Sequence, residues 1–251
     1  MNPEKKKGKK RLDVLLVERG LADSRQKAQA MILAGEALVD GQKVAKAGTV
    51  VSSDAVIELA GTRPRYASRG GQKLEGALED FGVEPSGQVC LDIGSSTGGF
   101  TDCLLQHGAA RVYAVDVTVS QLAWKLHNDA RVVRVERNAR ALSVSDVPDP
   151  VDLVTIDVSF ISVEKVLPPA VALAKAGAEF LILVKPQFEL ERGEIGKGGI
   201  VREPALHEKA IERVKRAAVH AGLEVAGMQP SRLTGAEGNQ EFFLRAAKGV
   251  E

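Results

Sequence analysis

Seven short apolar segments recur through the last two thirds of the chain, with helical stretches between most of them. The strand candidates are 89–93, 112–115, 132–135, 153–156, 180–184, 224–229 and 242–246. Helical spacing predicts helices over 74–81, 98–107, 121–126, 163–175 and 205–221. Strands that alternate with helices can bury both faces only as a parallel, doubly wound sheet, so an α/β fold is predicted here. The last two strands lack an intervening helix and predict a terminal hairpin.

Residues 11–60 follow another pattern. Leu12, Leu15, Leu16 and Leu21 fall at helical spacing, and a second helix is expected over 24–34, with Gly35 as its C-cap. Short strand-like pieces follow at Ala37–Val39, Val44 and Val50–Leu59, separated by the turn signals Asp40-Gly41 and Ala47-Gly48. This predicts a small α+β domain over 11–60, preceded by a flexible basic tail, 1–10, and followed by a linker, 61–67. The second domain would occupy 68–251.

Charge separates the same regions. Up to Lys73 there are 15 Lys and Arg against 8 Asp and Glu, and beyond it 19 against 25. A basic module beside an acidic body is the pattern of a polyanion binder. The composition, 44% hydrophobic and 27% charged, excludes collagen-like, low-complexity and wholly disordered chains. No run reaches the ~18 apolar residues of a membrane span. The lysine-rich start lacks a following apolar segment, so no secretory signal is expected. Cys90 and Cys103 are too few for a disulfide scaffold and lack metal-site spacing, which points to a reducing cytoplasm.

Chemistry concentrates in two places. Asp92-Ile93-Gly94-Ser95-Ser96-Thr97-Gly98-Gly99-Phe100 follows a strand and opens a helix. Glycine there lets the backbone turn sharply and approach a ligand. Asp116 ends the next predicted strand, where a carboxylate can take ribose hydroxyls. Ser96 stands where a dinucleotide loop would have its second glycine, which favours a nucleoside ligand such as S-adenosylmethionine. The plain alternative is a tight strand-to-helix turn. The second place is a set of charges at strand ends, where open α/β sheets bind ligands. Asp157 ends the fourth strand, Lys185 the fifth, Glu241 precedes the last, and Lys73 precedes the domain's first predicted helix. Any one of them alone reads as a solvated charge.

Taken together the motifs resemble a known family. Ser68-Arg69-Gly70-Gly71-Gln72-Lys73-Leu74, the 92–102 loop, Thr155-Ile156-Asp157-Val158-Ser159-Phe160-Ile161-Ser162, Leu183-Val184-Lys185-Pro186-Gln187-Phe188-Glu189, Gly196-Lys197-Gly198-Gly199-Ile200-Val201-Arg202 and Gly238-Asn239-Gln240-Glu241-Phe242 look like the TlyA family, also called hemolysin A. The first domain resembles an S4 RNA-binding domain through Arg11-Leu12-Asp13, Ser24-Arg25 and Gly35.

The resemblance implies a Rossmann-like, FtsJ-type catalytic domain that methylates ribose 2′-hydroxyls of ribosomal RNA, at cytidine, from S-adenosylmethionine. It implies a catalytic tetrad of Lys73, Asp157, Lys185 and Glu241. The implied cofactor residues are Asp92, Gly94, Ser95, Ser96, Thr97, Gly98, Gly99, Phe100, Asp116, Val117 and Asp157. Arg11, Arg19, Arg25, Lys27, Lys43, Lys46, Arg65 and Arg69 are the candidates for RNA phosphates. The expected partners are ribosomal RNA or ribosomal subunits, and no membrane.

The chain departs from the family at Val117-Thr118-Val119-Ser120, at a shortened Glu136–Arg140 segment, and at Ser231-Arg232-Leu233 in place of Ser-Pro-Ile. Base amino-methylation fits less well, because Asp157-Val158-Ser159-Phe160 lacks the Pro-Pro of those enzymes. Cytosine C5 methylation needs a cysteine near the fourth or fifth strand. The glycine-rich segment 186–202 reads as a mobile flap. Two rival readings are a non-catalytic RNA-binding factor and a membrane-lytic protein.

Overall fold

The computed structural model describes residues 8–60, 64–235 and 238–250, which form two units, one ending at Arg65 and the other beginning at Tyr66. Most of the predicted basic tail, 1–7, and the linker residues 61–63 lie outside the described residues.

The first unit runs β1 (Lys9–Arg11), α1 (Leu12–Glu18), α2 (Arg25–Leu33), β2 (Ala37–Val39), β3 (Gln42–Val44), β4 (Val50–Ser52) and β5 (Ile57–Leu59). Leu12 and Leu16 lie one helical turn apart and bury against Ala28 and Ile32, also one turn apart. Ser24 caps α2 by accepting from the Lys27 amide at 3.2 Å. Strand β2 lies between β3 and β5, and β1 pairs with β4, all antiparallel. Lys9 and Lys10 therefore belong to a strand, not to the tail that their composition suggests.

Beneath this unit's surface sits Asp13, fully buried. Arg11 donates to it twice, at 2.9 and 2.8 Å, Arg25 Nε at 3.0 Å and Gln29 Nε2 at 2.7 Å. The Arg11 guanidinium above all holds this carboxyl well below the usual carboxylate range, against the opposing effect of burial. A depressed folded value means that Asp13 stabilises the unit above the unfolded pKa of about 4 and loses that contribution as pH falls.

The second unit runs α3 (Arg69–Phe81), β6 (Val89–Ile93), α4 (Gly99–Gln106), β7 (Arg111–Asp116), α5 (Trp124–His127), β8 (Val132–Glu136), β9 (Val151–Ile156), α6 (Leu167–Leu173), β10 (Ala174–Val184), α7 (Pro186–Glu189), α8 (Pro204–His220), β11 (Leu223–Pro230) and β12 (Phe242–Lys248). Its seven strands lie in the order β11-β12-β10-β9-β6-β7-β8. Only β12 runs against its neighbours, β10 and β11. Alternation along each strand fills a core on each face: Phe180, Ile182 and Val184 point to one, Leu181 and Leu183 to the other. Chain order reverses between β6 and β9, so the crevice of this sheet opens beyond their carboxyl ends.

The predicted α/β architecture holds, with differences in the elements. Helix α3 begins at Arg69, because Ser68 Oγ accepts the Gly70 amide at 3.3 Å and starts the helix early; Lys73 lies inside it. Strand β10 begins at Ala174 and takes residues expected in the preceding helix. The predicted helix over 121–126 is a 3-10 turn followed by the single turn of α5. Strands β11 and β12 do pair, although residues 231–241 make a long connection.

The segment read as a mobile flap is folded against the unit. Glu189, buried, accepts from Ser162 Oγ at 2.7 Å and from the Val163 amide at 2.9 Å. Asn239 bridges the far end, accepting from Val201 N at 2.8 Å and donating to Gly199 O at 2.9 Å.

Replacing Asp13 by Asn removes the one charge that both arginines share. We expect Asp13→Asn to lower the first unit's unfolding free energy by about 2 kcal/mol at pH 7, the worth of hydrogen bonds to a charged group. The deficit should shrink below about pH 4, where the parent's unfolded carboxyl takes up a proton while the folded one stays ionised. Urea midpoints of the two chains at pH 7 and pH 3.5 measure it.

Candidate active site

The loop after β6 is shaped by close approach. Gly94 has φ +88, and a Cβ there would overlap the carbonyl oxygen of Asp157. Only glycine admits both the conformation and the contact. The Asp157 amide in turn donates to Ile93 O at 2.9 Å, so the ends of β6 and β9 are stitched edge to edge. Gly98, φ +91, is the N-cap of α4 and turns toward Leu122 and Leu126, not toward solvent. At the end of β7, Asp116 takes the Ser96 amide on Oδ2 at 2.9 Å and the Thr118 amide on Oδ1 at 3.2 Å. It shapes the loop while facing the crevice.

Two adjoining cavities open there. One, of about 370 Å³, is walled by Asp116 and by Val117, Val158, Phe160 and Ile161. A carboxylate for hydroxyls beside apolar walls for a flat ring suits a nucleoside. The other, of about 270 Å³, is polar, and Arg69, Lys73, Ser95, Thr97, Phe100 and Lys185 line it. Gly94, Ser96, Asp157 and Ser159 border both. Ser95 Oγ is buried and has no hydrogen-bond partner among the described residues, which leaves a polar group at the loop able to take one. Gly99 lines the polar cavity as well.

Asp92 is placed differently. It is fully buried, with Thr101 Oγ1 donating to it at 2.6 Å and Thr155 Oγ1 at 3.1 Å. It ties β6 to β9 and α4 and borders neither cavity. Burial pushes its pKa up to about 7, against the two hydroxyls, which favour the charged form.

The structure brings Lys73 of α3 and the strand-end residues Asp157, Lys185 and Glu241 together as two pairs. Lys73 Nζ donates to Glu241 Oε2 at 2.5 Å, and Lys185 Nζ lies 2.5 Å from Asp157 Oδ1. The lysine side chains are each only 12% exposed and Glu241 3%. Two lysines and two carboxylates sum to zero, which lowers the cost of holding them out of water. Lys73, Asp157 and Lys185 face the polar cavity, and Glu241 stands behind Lys73.

Ser159 was missed in the sequence: Lys185 Nζ donates to its Oγ at 2.9 Å. Nothing in its spacing marks it, and only its nearness to Asp157 could have. Phe160, beside it, is 91% exposed at φ +66, with its ring 5.1 Å from that of Phe188.

The residues considered for RNA contact are dispersed in role. Arg11 and Arg25 hold Asp13. Arg19 donates to the carbonyls of Ala55 and Ser53, both at 2.7 Å. Lys27 pairs with Asp23, and Lys43, Lys46 and Arg65 are exposed. Arg69 belongs to the second unit and lines the polar cavity.

A doubly wound sheet with a cavity of one carboxylate and apolar walls beside paired lysines and carboxylates is the architecture of a Rossmann-like methyltransferase. An S-adenosylmethionine-dependent methyltransferase from Mesorhizobium loti shares the fold at a TM-score of 0.52 and 14% identity, over 70% of this chain and 98% of its own. A family model for the FtsJ-like methyltransferase matches residues 66–248, and one for the S4 domain matches 10–57. The Mycobacterium tuberculosis protein named 16S/23S rRNA (cytidine-2'-O)-methyltransferase TlyA is 46% identical over 96% of this chain and 94% of its own. A solved Streptococcus thermophilus structure, of a protein named as a hemolysin, is 41% identical with a TM-score of 0.72, over 97% of this chain and 90% of that one. The chain belongs to the FtsJ-like methyltransferase family, in its TlyA branch.

The buried Asp92 gives a pH signature. An unfolded aspartate ionises near pH 4. From there to about 7 the unfolded chain releases this proton while the folded chain keeps it. Asp92 therefore costs stability increasingly across that window and by a constant amount above it. We expect the stability of Asp92→Asn, relative to the parent, to rise between pH 5 and pH 8. Urea midpoints at both pH values measure it; a relative fall would contradict the assignment.

Proposed function

We propose that this chain transfers the methyl group of S-adenosylmethionine to a ribose 2′-hydroxyl of ribosomal RNA, at a cytidine and within ribosomal subunits, in the cytoplasm. The observation that carries the proposal is the pair of lysine–carboxylate contacts at the polar cavity, next to the cavity suited to a nucleoside. When bound, S-adenosylmethionine supplies a methyl on a cationic sulfur, and its C–S bond breaks as the new O–C bond forms.

The chain's residues fit that cofactor. Asp116 would accept from its ribose hydroxyls, and Val117 and Val158 would flank its base. The loop from Gly94 to Thr97, with the hydroxyl of Ser95, would take its amino-acid end. Asp157 would border both the cofactor and the acceptor ribose.

Lys185 is the group assigned to the acceptor oxygen. Charged, it steadies the developing oxyanion; neutral, it removes the hydroxyl proton. In either role its nitrogen has to be aimed, and Asp157 holds it. Lys73, through Glu241, completes a neutral cluster and places a second cation at the same cavity. The S4 unit, with its exposed lysines and arginines, would bind phosphates and position folded RNA more than read its sequence. The name of the Mycobacterium tuberculosis relative supports the cytidine 2′-position. Among the described residues no helix is long and apolar enough to cross a membrane, so none supports a lytic reading by that route.

The test is methyl transfer from labelled S-adenosylmethionine to separated small and large ribosomal subunits, followed by nucleoside analysis. The expected product is 2′-O-methylcytidine. We expect Lys185→Ala to cut turnover at least about a hundredfold, the scale of a lost acid–base group, with cofactor affinity nearly unchanged. Appreciable turnover by that variant would remove Lys185 from the reaction. A parent protein that binds cofactor but methylates neither subunit would favour the non-catalytic RNA-binding factor.

A further inference from the structure

The lysine nitrogen at the centre of the site has more to satisfy than one carboxylate. Nζ carries Cε and three further tetrahedral directions. Ser159 Oγ takes one at 2.9 Å. Asp157 Oδ1 lies 2.5 Å away as an ion pair, outside hydrogen-bond geometry. The directions not spent on Ser159 remain for an acceptor hydroxyl. An ion pair alone attracts the charge without fixing how the head group is turned about the Cε–Nζ bond, and the hydrogen bond to Ser159 supplies that direction.

Both anchors come from one short turn, and that turn is locked to the segment bearing Lys185. Phe160 directly follows Ser159 at φ +66, a left-handed conformation that a phenylalanine adopts only when its surroundings hold it there. Its ring contacts Phe188, three residues beyond Lys185. Glu189 then accepts from Ser162 and Val163, and Arg213 NH1 donates to Glu189 O at 2.8 Å. The turn after β9 and the segment after β10 are thus joined at Asp157–Lys185, Ser159–Lys185, Phe160–Phe188 and Ser162–Glu189. Ser159 itself is exposed and contributes nothing to the core, so its hydroxyl is not required for folding. It also borders both cavities, the position from which a group can act between cofactor and acceptor.

We propose that Ser159 is a positioning residue for methyl transfer: beside the Asp157 ion pair, its hydrogen bond fixes the orientation of Lys185 Nζ and leaves the other N–H directions for the acceptor 2′-hydroxyl. The inference rests on the role given to Lys185 in the proposed reaction. Ser159 acts through Lys185 and exchanges no proton or methyl group itself.

Ser159→Ala, Ser159→Thr and Lys185→Ala, as full-length proteins, test it on the ribosomal subunit that the parent methylates. Ser159→Ala should lose about tenfold to a hundredfold in kcat, with KM for S-adenosylmethionine held within about twofold. Its calorimetric Kd for S-adenosylmethionine should stay within about twofold and its Tm within about 2 °C of the parent, since the hydroxyl is spent on Lys185 and no core contact is removed. Ser159→Thr, which keeps the hydroxyl, should recover to within about threefold of the parent kcat. An unchanged kcat in Ser159→Ala, a loss matched by weakened cofactor binding, or a threonine variant as slow as the alanine variant would each overturn the proposal. An inactive Lys185→Ala beside an unimpaired Ser159→Ala defeats this inference alone. An active Lys185→Ala defeats the reading beneath it.

Discussion

The site depends on the seam between β6 and β9. These neighbouring parallel strands lead to elements on opposite sides of the point where strand order reverses, so a crevice opens beyond their carboxyl ends. The close approach of those ends is set at Gly94, whose missing Cβ lets the loop backbone lie against the Asp157 carbonyl. It is reinforced by the Asp157 amide on Ile93 O and, deeper in, by Asp92 bridging Thr101 and Thr155. One backbone seam thus places the Gly94–Gly99 loop and the carboxylate paired with Lys185 within the same crevice. A side chain at position 94 would push the two apart, and the adjoining cavities would cease to share a wall.

Electrostatics follow from that geometry. Lys73 and Lys185 are each mostly buried, a state that long cationic side chains accept only when paired. Each has its own carboxylate, and each carboxylate comes from a different strand end. The pairs are therefore assembled only when the sheet is complete. Asp13 in the first unit shows the complementary solution: the carboxylate is buried and its arginines remain about half exposed, so the charge is met from the solvent side. The first arrangement keeps cations aimed into a cavity. The second fixes cations on a surface.

Much of this was readable in the sequence because it depends on local pattern. Alternating apolar runs predicted the doubly wound sheet, and a glycine-rich turn after a strand, followed by Asp116, pointed to residues that the structure places at the crevice. What escaped depends on tertiary contact. Ala174 and Lys175 are good helix formers, yet Ala174 pairs with Val151 of β9, and Gly177, at φ +75, breaks any helix there. Asp92 has the residue type and place of a ligand contact, but Thr101 and Thr155, distant in sequence, turn it inward. Ser159 has no periodicity or spacing to announce it, since its importance comes from a lysine 26 residues away.

The same distinction bears on the basic face of the first unit. Counting arginines in the sequence treats them as equivalent phosphate ligands. In the fold, Arg19 holds two backbone carbonyls, and Arg11 and Arg25 hold Asp13. A guanidinium has five N–H donors, so such residues can grip the protein on one edge and still offer the other to a phosphate, in a fixed direction. Exposed lysines such as Lys43 and Lys46 carry the same charge on flexible stems. Under the proposed function, arginines fixed in this way would set the register in which an RNA backbone docks. The lysines would add attraction that salt screens but that carries little geometry. Residues of both kinds would then seat a folded RNA in one orientation without reading its bases.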